Sequence, residues 1–91
     1  MASVIHYTCR ADLLPLLEGA LAAQGYHIKV PFQKSLGGAT AMVMACGGTF
    51  ILFTHTPPSE VVELEVWGEA QTAAMQLLES LPLEITRGPA F

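Results

Sequence analysis

The chain has 91 residues, 52% of them hydrophobic and 13% charged, with eight acidic against four basic side chains for a net charge of −4. That apolar fraction excludes a disordered chain, and the length predicts one domain over residues 1–91 whose stability leans on a good core or on oligomerisation. The basic residues Arg10, Lys29, Lys34 and Arg87 form no run, which excludes the clustered charge that binds nucleic-acid phosphates or an anionic membrane surface.

Residues 4–9 read as a short strand. Asp12 is placed to cap a helix over 12–24, with Pro15 tolerated in the first turn. Leu13, Leu16, Leu17, Ala20 and Leu21 fall at i, i+3, i+4, i+7 and i+8 on one helical face. Gly25 ends that helix in the position of a terminating glycine. Residues 26–34 alternate Tyr26, Ile28, Val30 and Phe32 against His27, Lys29, Pro31 and Gln33, the pattern of a half-buried strand. Pro31 cannot donate to a ladder, so this strand belongs at a sheet edge. Residues 35–38 are a turn.

Residues 39–55 hold a hairpin around Gly47-Gly48 with no charge on either side. Residues 56–59, Thr-Pro-Pro-Ser, make the next turn. Residues 60–67 alternate Val62, Leu64 and Val66 against Glu63, Glu65 and Trp67, and Gly68 breaks the strand. Ala70, Ala73, Ala74, Leu77, Leu78 and Leu81 are spaced as an amphipathic helix over 69–81, stopped by Pro82. Residues 83–87 form a last strand before a loose tail to Phe91. The order β-α-β-β-β-β-α-β predicts an α+β fold: an antiparallel sheet with two helices on one face, in the style of the ferredoxin-like sandwiches. That analogy of architecture carries no activity with it.

The register follows from the turns. A two-residue turn at Gly47-Gly48 sets Cys46 opposite Thr49, Met44 opposite Ile51 and Met42 opposite Phe53. A four-residue loop at 56–59 sets Phe53 opposite Val62 and Ile51 opposite Leu64. One face then collects Met42, Met44, Ile51, Phe53, Val62, Leu64 and Val66, the seat for the helices. The other collects Ala41, Val43, Ala45, Phe50 and Leu52, with Val61 and Trp67 beside Glu63 and Glu65. An antiparallel sheet with one free face normally shows polar residues there. The strand at 26–34 has two open placements: an even turn sends Ile28, Val30 and Phe32 to the outer face, and a bulge at Gly37-Gly38 sends them to the core.

An apolar strip of ~400 Å² at about 25 cal/mol per Å² contributes roughly 10 kcal/mol gross on burial. This is comparable to the ~4–15 kcal/mol that association costs. The expected interface residues are Ala41, Val43, Ala45, Phe50, Leu52, Val61 and Trp67, and the expected occupant is a second copy of the chain. A long loop or the tail around Phe91 is the competing cover. Glu63 and Glu65 would repel across a two-fold axis that brought them together, in which case dimerisation strengthens with salt.

The chemical inventory is thin. Cys9 precedes Arg10 near a helix start, a setting that can activate a thiol, but no second catalytic group is identifiable and a buried structural cysteine is the commoner case. His6, His27 and His55 show no metal-ligand spacing with Cys9 or Cys46. His6 fits a hydrogen-bonded core or groove position, and His55 a solvated strand end. Glu63 and Glu65 share a side, but such pairs on an outward strand face are mostly solubilising charges. The adjacent glycines fit no phosphate-binding frame. No cofactor or metal is expected.

Two cysteines are too few for a disulfide framework, and no membrane span or signal peptide is apparent, so a reduced, cytoplasmic protein is expected. The leading functional expectation is a non-catalytic interaction or regulatory module that homodimerises through its apolar sheet face. The alternatives are a ligand-binding or enzymatic domain with a pocket at that face, drawing on His6, Tyr7, Thr54 or His55, and an acidic inhibitor, immunity or chaperone protein masking one target.

Overall fold

A computed structural model describes residues 4–34 and 38–88, with only the backbone described for 31–34; most of the expected turn at 35–38 and the tail at Phe91 lie outside the described residues. The strands are β1 (Ile5–Arg10), β2 (His27–Lys34), β3 (Thr40–Cys46), β4 (Thr49–His55), β5 (Val61–Gly68) and β6 (Ile85–Arg87), and the helices are α1 (Leu14–Ala23) and α2 (Gln71–Ser80). The strands form one sheet in the order β2-β3-β4-β5-β1-β6, with every neighbouring pair antiparallel. The fold is therefore the expected α+β sandwich, a β2–β5 meander closed on its far side by the N-terminal strand. β1 lies between β5 and β6, so α2 makes a split crossover from one flank of β1 to the other.

The β3–β4 register matches the expected one, with Met42 opposite Phe53, Met44 opposite Ile51 and Cys46 opposite Thr49. Gly47 has φ +60° and Gly48 is not left-handed, the signature of a type II′ turn, whose twist suits a hairpin. The β4–β5 register differs from expectation by two residues: Ile51 pairs with Val66, Phe53 with Leu64 and His55 with Val62. Ser59, which donates to the Val61 carbonyl and accepts the Val61 amide, belongs to a longer connection than four residues. A two-residue slip leaves the facing of every side chain unchanged, because strands alternate with period two.

All seven expected core-face residues, Met42, Met44, Ile51, Phe53, Val62, Leu64 and Val66, are at most 2% exposed and share one cluster with Leu17 and Leu21 of α1 and Ala74 and Leu78 of α2. Both helices therefore cover the same face. Their contact stripes are narrower than the spacing suggested. In α1 the stripe is Leu14, Leu17 and Leu21, and Leu16 is 61% exposed. In α2 Ala74, Met75, Leu77 and Leu78 pack on the core, as does Leu81 just past its end, while the expected Ala70 and Ala73 are exposed.

Asp12 does not cap α1. A 3-10 turn over Ala11–Leu13 intervenes, and the Asp12 carboxylate accepts a hydrogen bond from Arg10. The C-terminus of α1 behaves as expected: the Tyr26 amide donates to the Leu21 carbonyl, and that of Gly25, at φ +95°, to Ala22. This is the paired closure of a Schellman motif.

The start of α2 is held from across the sheet. Thr49, 1% exposed, accepts the Ala70 amide on its hydroxyl at 3.0 Å. That contact requires the end of β5 to lie close on the hairpin, and Gly68 permits it. A Cβ on Gly68 would stand 2.1 Å from the Gly48 carbonyl oxygen, and φ there is +114°. Gly68→Ala is expected to cost about 3 kcal/mol or more in urea denaturation. Gly47→Ala, where a Cβ meets open space, costs about 1–2 kcal/mol through its left-handed backbone alone. Equal midpoints for the two variants would show that the close approach is dispensable.

Candidate functional site on the outer sheet face

Neighbours in register place their side chains on the same face, so the pairings map the face away from the helices. One row runs His27, Ala45, Phe50, Trp67; the next Val30, Val43, Leu52, Glu65, His6; the third Ala41, Thr54, Glu63, Thr8. Among the described residues no helix packs on these rows. Val43, Phe50, Leu52 and Ala41 are half-buried, Val30 is 37% exposed and Trp67 is 45% exposed.

The strand β2 resolves the open placement in a third way. Its register shifts between Ile28 and Val30, so that Ile28 opposes core-facing Met44 while Val30 opposes outward Val43. The irregularity lies within β2, and the two alternating residues part to opposite faces. Lys29, at the shift, carries its Nζ to 5.4 Å from the centroid of the Phe50 ring. Because β3 lies between β2 and β4, the lysine stem must cross β3 to get there. Ala45, paired with Phe50, is 2% exposed. This corrects Ala45 as an accessible contact: within a single chain it is already covered.

Val61 is also set apart. It opposes Arg10 at the far end of β5, with Glu63 and Glu65 between it and Trp67, and it lines a shallow cavity of about 150 Å³ with Thr8, Cys9, Arg10, Glu84 and Thr86. The continuous apolar patch is Ala41, Val43, Phe50 and Leu52, widened by Val30 and flanked by Trp67. Sequence reasoning missed Lys29 and the extension of the face onto β1. There His6 Nδ1 stands 3.8 Å from a Glu65 oxygen, which places His6 on the outer face and not in the core. Only the pairing of the first strand with the fifth supplies that contact, and no local pattern announces it.

The polar groups considered for chemistry do not converge. Cys9 is 4% exposed on the core side, and burial, with the nearby Asp12 carboxylate, raises its pKa. Arg10 alternates to the other face and bonds Asp12, so it does not activate the thiol. Tyr7, fully buried on the core side, donates to Glu79 Oε2 of α2 at 2.7 Å; burial first, then that hydrogen bond and the Glu79 charge push its pKa up to about 12. His55 is half-buried, and its Nε2 donates to the Ser59 carbonyl at 2.7 Å, so it is fastened rather than a free solvated end. It lines a cleft of about 330 Å³ with Arg10, Ala11, Asp12, Ser59 and Glu60, at the end of the sheet and not on its face.

Among the described residues no group of three or more His, Cys, Asp or Glu is placed to hold a metal, and both thiols are free. Comparison with protein families, with curated proteins and with solved structures finds no match to this chain. Among the described residues no helix is long and apolar enough to cross a membrane.

Two outcomes follow. Cys9 should resist a thiol reagent at neutral pH in the native state and react once the chain is unfolded; equal rates in both states would contradict its burial. In alkaline titration, native Tyr7 should remain largely protonated at pH 10, where a free tyrosine is half ionised, and Tyr26 should be more protonated than a free tyrosine. Their folded pKa values are raised, so their contribution to stability is intact below pH 10. For Tyr7 it is lost as pH rises from 10 through about 12, which urea midpoints over that range would record.

Proposed function

We propose that this chain is a non-catalytic interaction module that self-associates through the outer face of its sheet, in a regulatory or adaptor role. The observation that supports the reading is the half-buried apolar centre of that face, Val43, Phe50 and Leu52, on which no helix packs among the described residues, with Trp67 and Val30 exposed beside them. Contiguous apolar surface on a small domain marks a binding site, since leaving it in water costs about 25 cal/mol per Å².

The edges of the sheet support a face contact over strand addition. β2 is irregular at two places and carries Pro31, and β6 has three residues. Both are poor templates for pairing another strand. A ligand-binding reading draws less support: among the described residues the cleft of about 330 Å³ lies at the end of the sheet, among residues already bonded to one another.

Sedimentation equilibrium tests the proposal. The wild type should dimerise, and Leu52→Lys should raise the dissociation constant at least about tenfold with the circular dichroism spectrum retained. Ile51→Lys, one residue away but fully buried among the core, should instead destabilise the fold by about 4 kcal/mol or more. A wild type that stays monomeric at millimolar concentration would overturn the reading.

A further inference from the structure

The charges on the outer face choose how two copies would meet. In a face-to-face pair the two-fold axis lies in the interface plane, running either along the strands or across them. An axis across the strands, through the row of Val43 and Leu52, sets each residue of that row on its own mate. Lys29 would then oppose Lys29, and Glu65 would oppose Glu65. It would also place Phe50 over Thr54 and Trp67 over Glu63, aromatic rings on polar groups.

An axis along the strands, between β3 and β4, does the reverse. It lays β2 of one copy over β5 of the other and β3 over β4. Lys29 and Val30 then meet Glu65, and Val43 meets Leu52, each contact occurring twice, as an isologous interface requires. Opposite charges then face each other, and apolar side chains meet apolar ones.

We infer that the chain forms a symmetric dimer whose two-fold axis runs parallel to the strands between β3 and β4, sealed at both flanks by Lys29 of one copy on Glu65 of the other. This rests on the proposed self-association. The dimensions allow it. With strands about 4.8 Å apart, Lys29 and Glu65 each lie about 7 Å from the axis. The aligned packing of twisted sheets, rotated by about 30°, offsets them there by roughly one residue, within the reach of a lysine and a glutamate.

Lys29 is already laid across β3 onto Phe50, so it swings from the ring to the carboxylate and frees the Phe50 ring for the partner. Four strands of seven residues present about 450 Å² in projection per copy. That is below the roughly 800 Å² per partner of a standard stable interface and implies a concentration-dependent dimer.

Charge reversal tests the arrangement on the intact chain by sedimentation equilibrium. Lys29→Glu and Glu65→Lys should each raise the dimer dissociation constant about tenfold or more, and the double variant K29E/E65K should return to within about threefold of wild type. Loss of the Lys29–Phe50 contact alone would not be rescued by a charge at position 65. Added salt should weaken the wild-type dimer.

Single variants without effect, a double variant weaker than either single, or a dimer strengthened by salt would overturn this axis while leaving self-association standing. A wild type monomeric at millimolar concentration would overturn both.

Discussion

The fold depends on one parity. A two-residue turn at Gly47-Gly48 pairs Met44 with Ile51, and from that pair outward every residue of β3 and β4 is assigned to one face or the other. Because side chains alternate strictly, the assignment propagates through β5 to β1 without further choice. It puts methionines, Ile51 and Phe53 under the helices and leaves Val43, Phe50 and Leu52 outside. A turn one residue longer would put Phe50 and Leu52 on the face of the methionines and Ile51 and Phe53 on that of Val43. Nothing in the composition of either set would resist the exchange, since both are apolar; the turn geometry and the close approach of Gly68 to Gly48 hold the choice in place.

This explains which parts of the molecule were legible in the sequence. The core face was, down to individual residues, because parity survives a misjudged loop: the connection before β5 is longer than its Pro-Pro turn suggests, yet a slip of two residues moved no side chain across the sheet. Helix stripes were read less well. Leu16 and Ala73 fit the period but face water, at the margins of the stripes that pack on the core. The edge position of β2 was readable from Pro31, but its register was not. A strand that changes register partway shows an unbroken alternation in sequence, and only the partner strand reveals the shift. The same holds for Lys29 over Phe50, and for His6 beside Glu65, which depends on a pairing between distant segments.

The reactive side chains are consistently spent on structure. The Cys9 thiol is buried away from Arg10, the Tyr7 hydroxyl ties the sheet to α2 through Glu79, and the His55 ring braces the connection before β5. The tyrosine and the histidine each have a hydrogen-bond partner within the chain, and the thiol is buried. Such bonding lowers the cost of burying polar atoms, and it suits a domain whose specificity resides in shape and surface charge.

The place of β1 carries a consequence for how the chain acquires its structure. β1 is inserted between β5 and β6, with Ile5 beside Val66 and Tyr7 beside Arg87. The β2–β5 meander needs only near neighbours in sequence, whereas seating β1 closes a loop that spans most of the polypeptide. High contact order of this kind slows folding. β1 also covers the edge of β5 that faces away from the meander, an apolar edge that would otherwise be a template for pairing with another chain.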